Sequence, residues 1–203
     1  MRIDEMISAI QQELGVEVDG KAGPQTWGAI YERLIKNNDG HSNAKPATIA
    51  AVDDRSEKII ATLLPEVQPY ARALVQKADA SGIKIKILSG LRTYQEQDAL
   101  YAKGRTAPGS IVTNARGGQS NHNFGIAFDI GVFEGNKYLG ESVKYKAVGV
   151  LGVDMGLEWG GNWKTIKDQP HFQLRPAWAA ELNEKQMLAE LRSRHDDQSP
   201  VYA

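Results

Sequence analysis

Cysteine is absent from the 203 residues. Disulfides, thiolate nucleophiles and sulfur-held metals are excluded with it, so any metal must be held by histidine, aspartate or glutamate. Neither sign of charge is in surplus: 24 Lys+Arg against 25 Asp+Glu give a formal net charge of −1. A general nucleic-acid binder would carry a basic excess. No apolar run, the stretch at residues 59–64 included, approaches the roughly 18 residues that span a bilayer, so no membrane insertion is expected. The start does not resemble a secretory leader either. Met1-Arg2-Ile3-Asp4-Glu5 puts acids where basic and then apolar residues would stand. It predicts a product made and retained in the cytoplasm, which would need a separate release agent to reach a substrate outside the membrane. Internal repeats and low-complexity tracts are lacking as well.

What is present is ordinary globular composition, 41% hydrophobic and 24% charged. The length suffices for one well-cored domain of roughly 100–150 residues plus something small. Ile3, Ile7, Ile10 and Leu14 follow an i, i+4, i+7, i+11 rhythm, one face of a helix that Gly15 ends. Asp19-Gly20 centres a turn, and Pro24 suits the first turn of a second helix with Trp27, Ile30, Tyr31 and Leu34 on its apolar face. The segment from Lys36 to about Arg55 is rich in turn formers and reads as a linker. The expected division is a helical module at 1–36, a linker at 37–55, a main domain at 56–196 and a polar tail at 197–203.

In the main domain, Ser56 is a candidate N-cap for a long helix reaching Ser81-Gly82, with bends possible at Pro65 or Pro69. Residues 83–87 alternate strictly and predict a strand with one buried face. Residues 93–103 read as helix, 104–120 as a long Gly-rich loop, 126–132 as strand, 143–157 mainly as helix, 171–174 as a short strand and 176–192 as helix. Helices mixed with strands, without regular βαβ alternation, predict an α+β domain.

The chain has four histidines. His41 falls in the linker and His195 in a polar stretch, so both are expected to be solvated. His122 ends a loop, and Asp129 lies inside the apolar strand that follows it. A carboxylate there is costly to bury unless it is paired or metal-bound. Gly125 permits a sharp turn that would bring the two side chains together. His171 opens a second short apolar strand after Asp168-Gln169-Pro170. Two histidines and one carboxylate leave a coordination position open, the arrangement of a catalytic zinc. On spacing alone the alternative stays open, since a histidine beside an apolar run is more often a satisfied core residue.

Ser120-Asn121-His122-Asn123-Phe124-Gly125-Ile126-Ala127-Phe128-Asp129, followed by Asp168-Gln169-Pro170-His171-Phe172, resembles the zinc D-alanyl-D-alanine carboxypeptidase and L-alanyl-D-glutamate peptidase family. That family includes bacteriophage endolysins and shares its metal site with the vancomycin-resistance dipeptidases. The likeness runs from about Glu57 to Arg175. Ser89-Gly90-Leu91-Arg92-Thr93 with Gln97 is similar to the family's substrate-arginine segment, and the run from Glu158 to Trp163 to its L-alanyl-D-glutamate branch. The resemblance implies a small antiparallel sheet with flanking helices around one zinc (Hedgehog/DD-peptidase-like), the metal being held by His122, Asp129 and His171.

It further implies Asp168 as general base, with Glu158, between Leu157 and Trp159, as a rival or a structural acid. Arg92 would stand near the scissile carbonyl or a substrate carboxylate, against the plainer reading of an ion pair with Glu96 at i+4. Gln97 and Ser120 are candidate polar substrate contacts. Trp159 and Trp163 are candidate cleft walls or packing anchors. The Asp19-Gly20-Lys21-Ala22-Gly23-Pro24-Gln25-Thr26 turn, after Ile10-Gln11-Gln12-Glu13-Leu14, resembles the helical peptidoglycan-binding domain of wall hydrolases, here unusually short, with an ordinary helical hairpin as the alternative. The expected whole is a monomeric zinc endopeptidase of the peptidoglycan stem peptide, working as an endolysin released through a separate membrane pore (holin). A carboxypeptidase or dipeptidase on the same scaffold, or a zinc-containing binding protein, are the alternatives.

Overall fold

The computed structural model describes residues 3–23, 25, 26, 29 and 50–203. It divides into two compact units, Met1–Ala47 and Thr48–Ala203.

In the first unit, α1 spans Ile3–Leu14 and carries Asp4 and Glu5 in its first turn, where acids complement the exposed N–H groups. The chain leaves it through Gly15, at φ +68°. The Asp-Gly turn is held by Gln11, which is 1% exposed. Its Oε1 accepts the N–H groups of Asp19 and Gly20, and its Nε2 donates to Asp19 Oδ1, Lys21 O and Thr26 Oγ1. The apolar face expected at Trp27, Ile30, Tyr31 and Leu34 lies outside the described residues, as does His41.

The second unit is α+β, as the sequence pattern predicts. Its first helix, α2 (Asp54–Ile60), is capped by Asp53, whose carboxylate accepts the Ser56 N–H, so the cap stands three residues before the expected Ser56. Ser56 is instead buried, and its hydroxyl accepts the Ile87 N–H at 2.9 Å. The long helix expected after it is broken. Residues 61–67 form turns around Pro65, which has no N–H to continue the ladder, and α3 (Gln68–Ala80) restarts with Pro69 in its first turn.

Strand β1 (Lys84–Ser89) pairs with the long β2 (Ala127–Glu134). The other edge of β2 is shared, its start pairing with β5 (His171–Gln173) and its end with β3 (Lys137–Leu139); β4 (Glu158–Trp159) closes the sheet on β5. Every ladder is antiparallel. Side chains alternate across the sheet. Ile87, Phe128, Ile130 and Phe172 are wholly buried with Ile60 and Leu74 of the helices, while Asp129 and His171 face the other way.

Helix α4 (Tyr94–Ala102) starts at a Thr93/Glu96 capping box, and α5 (Lys144–Asp154) packs on α3 and β4. The helix expected at 176–192 is instead a short 3-10 turn, Ala177–Ala179, and then α6 (Glu184–Asp196), reset by an Asn183/Gln186 capping box. The segment expected as a polar tail folds back. Tyr202 packs against both hydrophobic clusters and donates its hydroxyl to Leu174 O at 2.7 Å. His195 is stacked on Tyr94 at 5.0 Å between ring centroids, so it is not simply solvated. Among the described residues no helix is long and apolar enough to cross a membrane.

Candidate metal centre

The register of the sheet builds the centre. Asp129 on β2 is the direct partner of His171 on β5, and Ser89 on β1 pairs with Asp129 from the opposite side. His122 comes from a 3-10 turn, Asn121–Phe124, just before β2. Gly125 closes that turn at φ +68°, which suits glycine, and a Cβ there would press on Leu64 at 3.2 Å. Arg92 N–H donates to His122 O, and Asn123 Nδ2 to Arg92 O, so the turn and the Arg92 segment are pinned to each other.

His122 Nε2 and His171 Nδ1 approach the same oxygen, Asp129 Oδ1, at 3.2 and 3.3 Å. One donor atom from each of the three residues lies within 4.8 Å of the others. The imidazoles are almost buried, at 5% and 6% exposure, and Asp129 is the more open at 24%. Burial opposes the charge on Asp129, but the two histidines outweigh it and hold the carboxyl far below its usual range. Burial lowers His171 in turn, and the Asp129 carboxylate more than reverses this, raising it. This is a nitrogen-and-oxygen donor set with no sulfur, and each ring has its other nitrogen engaged: His122 Nδ1 with Gly90 O at 2.8 Å, His171 Nε2 with Gln173 Oε1 at 2.9 Å. The residues fit a divalent metal such as zinc.

The centre opens on a cleft of about 1240 Å³ that Arg92, Ser120, Glu158, Trp163 and Asp168 also line. Asp168 is pushed up from the ordinary carboxyl value, first by burial and then by the charge of Asp129, against the pull of His171, His122 and Arg92. Gly160 holds it there. The Gly160 carbonyl accepts the N–H groups of Asp168 and Trp163, and a Cβ on Gly160 would run into the Asp168 carbonyl. Glu158, the rival base, is already committed: it is ion-paired with Arg175 and accepts Gln173 Nε2 at 2.6 Å.

Arg92 does not pair with Glu96, which is used in the helix cap. Its guanidinium donates to Gln97 Oε1 and Ser89 Oγ and stands 3.8 Å from Asp129. Gln97, expected to touch substrate, is wholly buried behind Arg92. Its amide is spent on Arg92, Ala115 O and Thr113 Oγ1, making it a strut to the 104–120 loop. Trp159 exposes 9% of its surface and donates Nε1–H to Gln169 O, so it is chiefly an anchor. Trp163 is the tryptophan whose ring lies against His171, 4.9 Å between centroids. Gln173 and Asn121, both buried, are the site residues that sequence reasoning missed. The available signal was spacing: Gln173 stands two residues after His171 in a strand and must share its face.

Residues 113–174 match a peptidase M15 family model described as D-alanyl-D-alanine carboxypeptidase. The chain is 40% identical over 126 residues to the peptidoglycan L-alanyl-D-glutamate endopeptidase CwlK of Bacillus subtilis (strain 168), a match covering 56% of this chain and 74% of CwlK. Among solved structures, the L-Ala D-Glu endopeptidase ChiX of Serratia marcescens aligns at TM-score 0.49 and 24% identity, over 64% of this chain and 94% of that one. The vancomycin-resistance D,D-pentapeptidase VanY, in complex with Zn(II), aligns at TM-score 0.45 and 21% identity, over 64% and 83%. With a relative this similar over three-quarters of its length, and the family's motif region falling on the residues that build the centre, the chain belongs to the M15 peptidase family.

Proposed function

We propose that the protein is a zinc-dependent peptidoglycan endopeptidase that cleaves the stem peptide between L-alanine and D-glutamate. The observation that supports this most is the convergence of His122 Nε2, His171 Nδ1 and Asp129 Oδ1 on one point of a cleft that also holds Arg92 and Asp168. The 40% identity to CwlK favours the L-alanyl-D-glutamate bond.

In this reading His122, Asp129 and His171 hold the metal. When bound, a zinc ion would polarise the scissile carbonyl and acidify water. Arg92, braced by Gln97 and Ser89, presents a fixed cation to the carbonyl oxygen or to a substrate carboxylate. Asp168 takes a proton from the attacking water and returns it to the leaving amine. Its raised affinity for protons suits a group that must both accept and release one. Trp163 walls the cleft beside His171, and Ser120 adds a polar contact at the rim. The N-terminal unit, with its Gln11-braced Asp-Gly turn, serves to bring the enzyme to the wall, and the chain acts as an endolysin that a separate pore releases.

Digestion of purified peptidoglycan by the zinc-loaded protein, followed by mass spectrometry of the soluble fragments, tests the reading. New N-terminal D-glutamate is the expected product. Release of free D-alanine would reassign the protein as a carboxypeptidase, and no fragments at all would make it a binding protein.

A further inference from the structure

We propose that Gln173 is a positioning residue: its side-chain amide, oriented by Glu158, sets the tautomer of His171 and thereby decides that Nδ1 is the nitrogen offered to the metal. The proposal rests on the reading of His171 as a ligand.

A neutral imidazole carries one proton, and the nitrogen that keeps it cannot bind a metal. For His122 the choice is made by backbone, because Gly90 O, 2.8 Å from Nδ1, can only accept. His171 has no such partner. Its Nε2 faces a side-chain amide, Gln173 Oε1 at 2.9 Å, and an amide turned end for end would present NH₂ and favour the opposite tautomer. What prevents the turn is on the far side of Gln173. Its Nε2 donates at 2.6 Å to Glu158 Oε2, a carboxylate paired with Arg175 that has nothing to donate. Asn121 Nδ2 donates to Gln173 Oε1 at 2.5 Å and to Glu184 Oε1 at 2.5 Å, fixing the amide a second time. Arg175 joins both acids, with its Nη2 at 3.1 Å from Glu184 Oε2. A carboxylate thus orients an amide, the amide fixes a proton on Nε2, and Nδ1, 3.3 Å from Asp129 Oδ1, is the nitrogen left for the metal. Gln173 is wholly buried, so water does not compete for these bonds.

Two measurements on the full chain test this: zinc affinity by competition with a chelator, and histidine ¹⁵N shifts of the zinc-loaded protein, which report which ring nitrogen of His171 is metal-bound and which is protonated. Gln173→Met keeps length and apolar volume but offers no comparable acceptor. It is expected to weaken zinc binding about 10–100-fold, the usual effect of losing a partner behind a metal ligand, and to turn the single Nδ1-bound, Nε2–H form of zinc-loaded His171 into a mixture. Leu74→Ala, a truncation in the core on α3, is expected to lower Tm while leaving both readings at wild-type values. Wild-type zinc affinity and an unmixed tautomer in Gln173→Met would overturn the proposal. So would zinc-loaded wild-type protein with Nε2 of His171 on the metal and the proton on Nδ1, a result that needs no variant and decides the matter should Gln173→Met fail to fold. A wild-type protein that binds no zinc, or whose His171 shifts do not move when zinc is added, would remove the ligand reading instead.

Discussion

Asp129 and His171 are directly opposed across the β2–β5 ladder, with Asp129 Oδ1 3.3 Å from His171 Nδ1. Their neighbours in the same two strands, Phe128 and Phe172, stack on the other face at 5.9 Å between centroids. The pairing that seals the core therefore also sets the spacing of two of the three donors, and it makes the site's chemistry testable one side chain at a time.

Zinc content is the first test. His122→Ala and His171→Ala should each lose bound zinc by elemental analysis, since two remaining donors hold it poorly. Acidification of the wild type should release it as well, because both imidazoles must be neutral to bind. Full zinc occupancy in both variants would remove the site.

The two acids of the cleft should separate cleanly. Asp168→Asn keeps shape and removes no ligand, so zinc should stay while turnover per bound zinc falls by roughly 10²–10⁴-fold. Glu158→Gln disturbs the Gln173 and Arg175 contacts, so it should lower thermal stability or zinc affinity more than turnover per zinc. Near-wild-type turnover in Asp168→Asn, with loss in Glu158→Gln, would exchange the roles.

Gly160→Ala probes the backbone beneath Asp168. The added Cβ meets the Asp168 carbonyl, a group fixed by the chain and unable to swing aside. A destabilisation of roughly 1–3 kcal/mol in urea is expected, together with reduced turnover because Asp168, the proposed base, is displaced. Gly135→Ala, at an exposed turn with nothing near its Cβ, should leave turnover unchanged despite its positive φ.

Glu57 carries a pH-dependent contribution. The bidentate hydrogen bonds from Arg72 hold its carboxyl below the usual range, partly opposed by burial. A folded-state value below the unfolded one means the stabilisation is complete above the unfolded value, about 4.3, and is lost as pH falls through the folded one. In metal-free protein, Glu57→Gln should be less stable than wild type by about 1 kcal/mol at neutral pH, and the gap should close in acid. A gap independent of pH would exclude the ion pair as its source.

A chain beginning at Ala50 should hydrolyse a soluble stem peptide as well as the full protein does, and bind intact sacculi less. Starting at Ser56 would remove the Asp53 cap and the Val52 N–H bond to Glu57, confounding the comparison. Equal binding to sacculi by the two chains would reject the targeting role.

The parts of this molecule that could be read from sequence are those whose cause is local. Strict alternation marks β1, and a lone acid in an apolar strand marks Asp129, because period and desolvation act within a few residues. The break between α2 and α3 was foreseeable only as a bend at proline, since the turn also depends on Leu64 N–H reaching Gly125 O. Gln97 was misplaced and Gln173 overlooked for the same reason. Both are polar side chains whose partners, Ala115, Glu158 and Asn121, are distant in sequence and are brought near by the sheet and the 104–120 loop. Strand β4, two residues long, leaves no periodic trace.

The order of these parts along the chain has a consequence for timing. His122 and Asp129 precede His171 by some forty or more residues, and the side chains that brace His171 arrive later still, on Arg175 and on Glu184 of α6. Arg192, near the end of that helix, then reaches back to Gly118 O beside the ligand turn. Because synthesis delivers the N-terminal residues first, a nascent chain still short of its last helix holds all three donors but lacks Glu184 and Arg192. The contacts that back the Gln173 amide behind His171 are therefore complete only once the final helix docks.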